Sequence, residues 1–219
     1  MALPALARGA VLTGYSYPVV SRYVNTAGTI SHTDGMDLAR GVSVSPSIET
    51  LGEDNTFYAN NTAAEEAQQR FRRGTATFTV DGLLVASERL LLGLPAATQE
   101  TVGDSTVGMI HYGDSQSIPY VTIGFVTQWQ SAGTIFYRAQ VYTKTRFSQF
   151  AVSAETQGEE IDWQTTELEA RLMRDDSANH DWQVVSEPLE TELEAYNAVR
   201  VLNGMQTVTA LPGNGPVSA

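Results

Sequence analysis

The feature that most constrains this chain is a hairpin legible in its middle third. Ile118-Pro119-Tyr120-Val121-Thr122-Ile123-Gly124-Phe125-Val126-Thr127-Gln128-Trp129 is a long run of β-branched and aromatic residues. Ser131-Ala132-Gly133 supplies a turn, and Thr134 to Thr143 follows with Ile135, Tyr137, Ala139 and Val141 on one face. Two such runs joined by a short turn predict paired antiparallel strands. From Gly103 to Phe150 the pattern is β throughout.

Other segments repeat the period of two. Thr75-Ala76-Thr77-Phe78-Thr79-Val80 alternates cleanly, which places its threonines on one side of a strand. Tyr15 to Val24 reads as a strand, with Pro18 marking either a sheet edge or a bend because proline cannot donate to a ladder. Thr26-Ala27-Gly28-Thr29 reads as a turn, and the next strand runs from Leu38 to Ser45. Near Ile161–Gln164 the alternation slips in phase to Leu168, Ala170 and Leu172. A bulge at Thr165-Thr166 accounts for that slip. A helix competes there, because Leu168 and Leu172 are four apart, and strand is preferred.

Two helices are expected. Asp81 is placed as an N-cap, and Leu83, Leu84, Leu90 and Leu91 make an apolar stripe that Gly93 and Pro95 end. Ser186-Glu187-Pro188 opens a second helix, with Leu189, Leu193, Tyr196, Val199 and Leu202 on its buried side and Gly204 at its end. Between them the fold class is mainly β: a β-sandwich or partial barrel with one flanking helix and a C-terminal helix.

One stretch resists this reading. Residues 50–73 are polar, lack sustained alternation and carry only Leu51, Phe57, Tyr58 and Phe71 as large apolar groups. A loop that long inside a compact domain is usually functional. A short helix from Thr62 to Arg70 fits, with Thr62 as N-cap and Glu65 at capping-box spacing. The tail from Leu211 to Pro216 reads as a flexible arm.

Composition narrows function. The 219 residues carry a formal charge of -12 and no cysteine. Disulfides, thiolate metal sites and a cysteine nucleophile are therefore excluded. The charge is uneven, with a net of -2 over residues 1–149 and -10 over residues 150–219. An acidic chain is a poor ligand for the phosphate backbone. No run is long enough to cross a membrane. The apolar start, Met1 to Arg8, is too short for a secretory signal, so a cytosolic site of synthesis is expected.

No catalytic motif emerges. His32, His111 and His180 are not at metal-ligand spacing. Asp175 to Asp181 lacks the central glycine and final glutamate of a calcium loop and reads as a surface turn. Glu65-Glu66 and Glu159-Glu160 are adjacent pairs that point to opposite faces of a strand, unlike a facing pair of catalytic acids. Trp129, Trp163 and Trp182 would suit a sugar platform if they clustered beside a cleft, which keeps a carbohydrate-binding or carbohydrate-active β-sandwich as the alternative. No enzyme activity and no cofactor are expected.

An ordered set of strings then carries a resemblance. Gly41-Val42-Ser43-Val44-Ser45-Pro46-Ser47-Ile48-Glu49, Asn55-Thr56-Phe57-Tyr58-Ala59-Asn60-Asn61 and Thr77-Phe78-Thr79-Val80-Asp81-Gly82-Leu83 come first. Ser153-Ala154-Glu155-Thr156-Gln157-Gly158-Glu159 and Trp163-Gln164-Thr165 follow. Together, over roughly residues 10 to 203, they resemble the major tail proteins of long, noncontractile-tailed bacteriophages. One departure is that Ala59-Asn60 lacks the acidic residue expected of relatives.

The resemblance implies a structural virion protein whose subunits form hexameric rings, one sheet of each joining an inner β-barrel. The rings stack into a tube that encloses the tape-measure protein, meets tail-terminator and distal tail proteins, and later conducts DNA without sequence-specific binding. It implies one domain over residues 1–204 with a C-terminal arm at 205–219. Inter-ring contact is expected from the 50–73 loop and the N-terminal arm, through Arg8, Phe57, Tyr58, Asn60, Arg70, Arg72 and Arg73. That loop is further expected to order only on stacking. An acidic lumen would repel phosphate over about 8 Å at physiological salt, which makes Glu49, Glu155, Glu159, Glu160 and Asp162 the candidate lumen-facing acids.

Overall fold

A computed structural model describes residues 9–51, 56–66, 69–114, 116–150 and 164–213, with the backbone alone at 64–66. The chain is mainly β. One antiparallel sheet takes β1 (Val11–Thr26), β2 (Thr29–Asp37), β3 (Gly41–Leu51) and β6 (Arg70–Val80). It is completed by β9 (Val121–Ser131), β10 (Thr134–Phe147), β11 (Thr166–Met173) and β12 (Gln183–Val185). The strand order is β2-β1-β9-β10-β11-β6-β3, with β12 also on β10. Two small hairpins stand apart: β4 (Thr56–Ala59) with β5 (Thr62–Glu66), and β7 (Thr98–Val102) with β8 (Ser105–Met109). The helices are α1 (Val85–Leu92) and α2 (Glu192–Leu202).

The expected central hairpin is present. Ser131 pairs with Thr134 around Ala132 and Gly133, whose φ values of 48° and 86° give the two left-handed residues of a type I′ turn. β9 buries Val121, Ile123 and Phe125 on one face and Val126 on the other. The curl of the sheet covers the first face, and α2 covers the second. Gly41 at the head of β3 lies against Tyr15 of β1, where a Cβ would stand 2.3 Å from the ring.

Inside the curl, Val20, Ala76, Phe78, Val80, Phe125, Tyr142, Phe147, Leu168 and Leu172 form the main core, closed by Leu90 and Leu91 of α1. Outside it, α2 lays Ala195, Tyr196 and Val199 on Val19, Val126 and Ala139. Gly124 is what lets α2 sit close. A Cβ there would be 2.7 Å from Val199 and 2.9 Å from Val141.

Several expectations are corrected. Pro18 lies in an interior strand, so it marks the bend. The β1–β9 register shifts between Ser16 and Val19, and Tyr17 has φ 49°. The expected helix start at Thr62 is instead the strand β5, Thr62–Glu66. Asn60 and Asn61, at φ 52° and 61°, turn the chain back on itself, and Ala59 pairs with Thr62 in a β-hairpin. Thr29–Asp37, unassigned from sequence, is a strand held by β1.

Asp81 is not the cap of α1. Its carboxylate accepts the Arg40 backbone N–H at 2.9 Å and the Arg40 guanidinium, so the helix starts later, after Leu84. Leu84 is exposed, while Leu90, Leu91 and Leu92 are buried. Gly93 ends the helix at φ 65° as expected.

The last helix starts later than Ser186. Leu189 and Tyr137 of β10 exchange backbone hydrogen bonds, the Ser186 N–H donates to the Ala139 carbonyl, and the Ala139 N–H donates to the Ser186 hydroxyl, which keeps this stretch extended. Thr191 and Glu194 then form a reciprocal capping box.

β11 is a strand, as preferred, with Leu168, Ala170 and Leu172 buried. The proposed bulge partners Ile161 to Trp163 lie outside the described residues. Residues 205–211, expected as the start of an arm, run back along α2. Asn197 exchanges two hydrogen bonds with Val208, at 2.8 and 2.9 Å, and Leu211 packs beside them.

Candidate functional site, an uncovered sheet face

The period of two in β3, β6 and β11 sorts side chains into two sets. Val44, Ala76, Phe78, Leu168, Ala170 and Leu172 point into the core. Their neighbours point away, and no described element packs on them.

Register fixes what stands beside what. Ser43, Thr79 and Glu167 form one row, and Ser45, Thr77 and Glu169 the next. Ser47, Thr75, Arg171 and Arg146 form a third, and Glu49 opposes Arg73. The result is a four-strand face of short hydroxyls edged by charges. Ser43 donates to Thr79 across the strands at 3.0 Å. On β3 and β6 the face is built of short hydroxyls, and on β11 and β10 of charged side chains, so it is well hydrated throughout.

Its charges are balanced on the described residues. The Arg73 guanidinium donates to Glu49 at 2.7 Å and holds that carboxyl below its ordinary range. Arg146 lies over the Tyr120 ring at 6.0 Å. Lys144 is held at 2.8 Å by Asp176. Of the candidate lumen acids, Glu49 is on this face. Glu155, Glu159, Glu160 and Asp162 lie outside the described residues. Glu167 and Glu169 are additional acids on the same face. Sequence reasoning passed over them, although their alternation with Leu168 and Ala170 was the available signal.

The face ends at an open edge. Among the described residues β3 pairs with β6 alone, and Val42, Ile48 and Leu51 on it are exposed at 53%, 38% and 49%. An unpaired strand of this length is a template for another chain.

The contact residues expected in the 50–73 stretch fall into three groups. Phe57 and Tyr58 sit on the β4–β5 hairpin, exposed at 65% and 66%, and Asn60 is in its turn. Arg70 and Arg72 are exposed at the hairpin's base. Arg73 belongs to the hydroxyl face through Glu49. Arg8 lies outside the described residues.

A groove of about 810 Å³ lies between β1 and the loop before α1, lined by Tyr15, Pro18, Asp37, Arg40, Asp81 and Leu84 among others. Its acids are already engaged. Asp81 is taken by Arg40, and Asp37 accepts the Tyr196 hydroxyl at 2.6 Å. Burial pushes the Tyr15 phenol well above its ordinary range, so it is no base at neutral pH.

His32 meets Thr122, His111 meets Thr98 and Glu100, and His180 meets the Asp175 backbone. Among the described residues no three His, Asp or Glu side chains gather as a metal site. Asp175 accepts both the backbone and the hydroxyl of Ser177, forming a local turn. Trp182 stacks on Phe71 at 4.7 Å and on Tyr142 at 6.4 Å, and Tyr142 is six residues along β10 from Phe136, the partner of Trp129. No described helix is long and apolar enough to cross a membrane. No family model matches the chain, and no curated protein matches it.

Proposed function

We propose that this chain is a structural subunit of a phage tail tube. Copies join laterally into hexameric rings, and rings stack into a conduit that holds the tape-measure protein and later passes DNA. The observation that supports this most is the uncovered hydroxyl face at an open sheet edge. Placed in a lumen, β3-β6-β11-β10 presents Ser43, Ser45, Ser47, Thr75, Thr77 and Thr79 to the cargo.

The charge pattern supports a modified account of non-stick transport. A wall on which Glu49, Glu167 and Glu169 offset Arg73, Arg146 and Arg171, with Arg73 held by Glu49, carries little net charge and so has little hold on the backbone. Glu49, Glu167 and Glu169 contribute to this, and Glu155, Glu159, Glu160 and Asp162 belong to the same proposal. No catalytic role and no cofactor are assigned. The reading places the protein in the virion tail after assembly in the host cytoplasm, with terminator and distal tail proteins at the tube's ends. A carbohydrate-binding role draws no support from Trp182, which is packed on Phe71.

Electron microscopy of the concentrated, purified chain tests the proposal. Hollow tubes of uniform width are expected. A protein that stays monomeric at every concentration and binds a glycan would overturn it.

A further inference from the structure

The two edges of the large sheet are broken at mid-strand, each in its own way. Among the described residues β2 is one edge and β3 the other. On β2 the register with β1 jumps from Thr33 opposite Arg22 to Met36 opposite Val20. Asp34 and Gly35 therefore form a bulge, with Asp34 at φ 54°. The Arg22 guanidinium donates to the Asp34 carboxylate there at 3.2 Å. A bulged, charged edge is a poor template for a further strand.

β3 has no bulge over its middle. It pairs with β6 residue by residue, from Ser43 opposite Thr79 to Glu49 opposite Arg73. What interrupts it is Pro46, exposed and opposite Ala76. Successive residues of a strand turn their backbone groups to alternate sides. Proline has no N–H, so it fits an edge strand with its nitrogen turned away from the neighbour. Ser45 and Ser47 then carry the ladder bonds to Thr77 and Thr75, their partners in register. Val44, Pro46 and Ile48 present their backbones outward, and that row lacks an N–H at its centre.

A strand arriving along the row must leave one carbonyl opposite Pro46 without a donor, which costs it a hydrogen bond. A second copy's β3 fares worst. In an antiparallel pair centred on Pro46 the two prolines stand opposite each other, and both bonds of the central pair are missing.

We infer that Pro46 guards the open edge and keeps the β3 strands of two free copies from pairing with each other. The guard acts in the free subunit, whether or not copies later build a tube. It leaves the run from Ile48 to Leu51 open to a strand that stops short of Pro46.

Substitution in the full-length chain tests this, with circular dichroism to show that each variant folds. P46A and P46T each restore the missing N–H. Below the concentration at which wild type self-associates, both should sediment as dimers, with a dissociation constant lowered by about tenfold or more. Amide exchange should slow at Val44 and Ile48 in those dimers, while Ser45 and Ser47, already bonded to β6, should not change. If both variants stay monomeric wherever wild type does, the guard falls. Dimers from P46T without dimers from P46A would assign the effect to the side chain and overturn it as well. So would dimers with no added protection at Val44 and Ile48, or a wild type already paired through those amides.

Discussion

Asp176 shows how a single side chain ties the polar turn at 175–181 to the sheet. Lys144 donates to both its oxygens at 3.0 and 2.8 Å, and the Tyr23 hydroxyl donates at 2.9 Å. The Lys144 hydrogen bond is the main reason its pKa falls from 3.8 to about 2, helped by Asn25 and Tyr23. Because the folded value is the lower one, the stabilisation is full above pH 3.8 and is lost as pH falls through about 2. The pair is partly solvated, which holds the effect to about 1 kcal/mol. D176N should therefore unfold at lower denaturant than wild type at pH 6, with the gap closing by pH 2. A gap independent of pH would contradict this assignment.

Gly124 makes a second claim at the same scale. Its Cβ position is occupied by Val199, Val141 and Asn203 within 3.0 Å. G124A should cost about 1–3 kcal/mol by forcing α2 off the sheet, measured by urea unfolding. A neutral substitution would mean that α2 shifts freely.

At the scale of elements, the strands that alternate were legible and those that do not were missed. β6, β9 and β10 carry their period of two in the sequence because each buries one face or both. β2 does not, since its Ser31, Thr33 and Asp34 are polar and it is held by pairing with β1. The hairpin at 56–66 was missed for a different reason. Thr62 and Glu65 mimic a capping box, but the deciding signal was Asn60-Asn61, a pair suited to two left-handed residues in a row.

The helix starts failed because a rival partner claimed each expected cap. Arg40 took Asp81, and β10 took the Ser186 backbone. The candidate site was legible only in part. Ser43, Ser45 and Thr77 stood in recognisable strands, but register alone brought Glu167 and Glu169 beside them.

The hairpin yields a prediction of its own. No other described strand or helix packs extensively on it. Replacing residues 52–69 by a short Gly-Ser turn should change unfolding free energy by no more than about 1 kcal/mol, since loop closure varies slowly with length. The same variant should form no tubes in sedimentation assays. Tubes of normal yield would remove the hairpin from the assembly contact.

At the scale of the whole molecule, three surfaces divide the work. The curled sheet and α2 supply a closed core. The open β3 edge and the exposed β4–β5 hairpin supply surfaces at which copies can add. The hydroxyl face is left for a lumen, and its described acids, Glu49, Glu167 and Glu169, are offset by Arg73, Arg146 and Arg171. Acidity thus stops being a simple explanation of DNA release, and local pairing such as Arg73 with Glu49 takes its place.

The most direct test exploits a chain without cysteine. S45C places a single thiol in the middle of the hydroxyl face, and V201C places one on the exposed side of α2, where Val201 is 56% exposed. Each variant is treated with a bulky polyethylene-glycol maleimide, once as subunit and once after assembly. The account predicts that S45C reacts in the subunit and is protected in the tube, while V201C reacts in both. Equal labelling of S45C in subunit and tube would put the hydroxyl face on the outside and contradict the central claim.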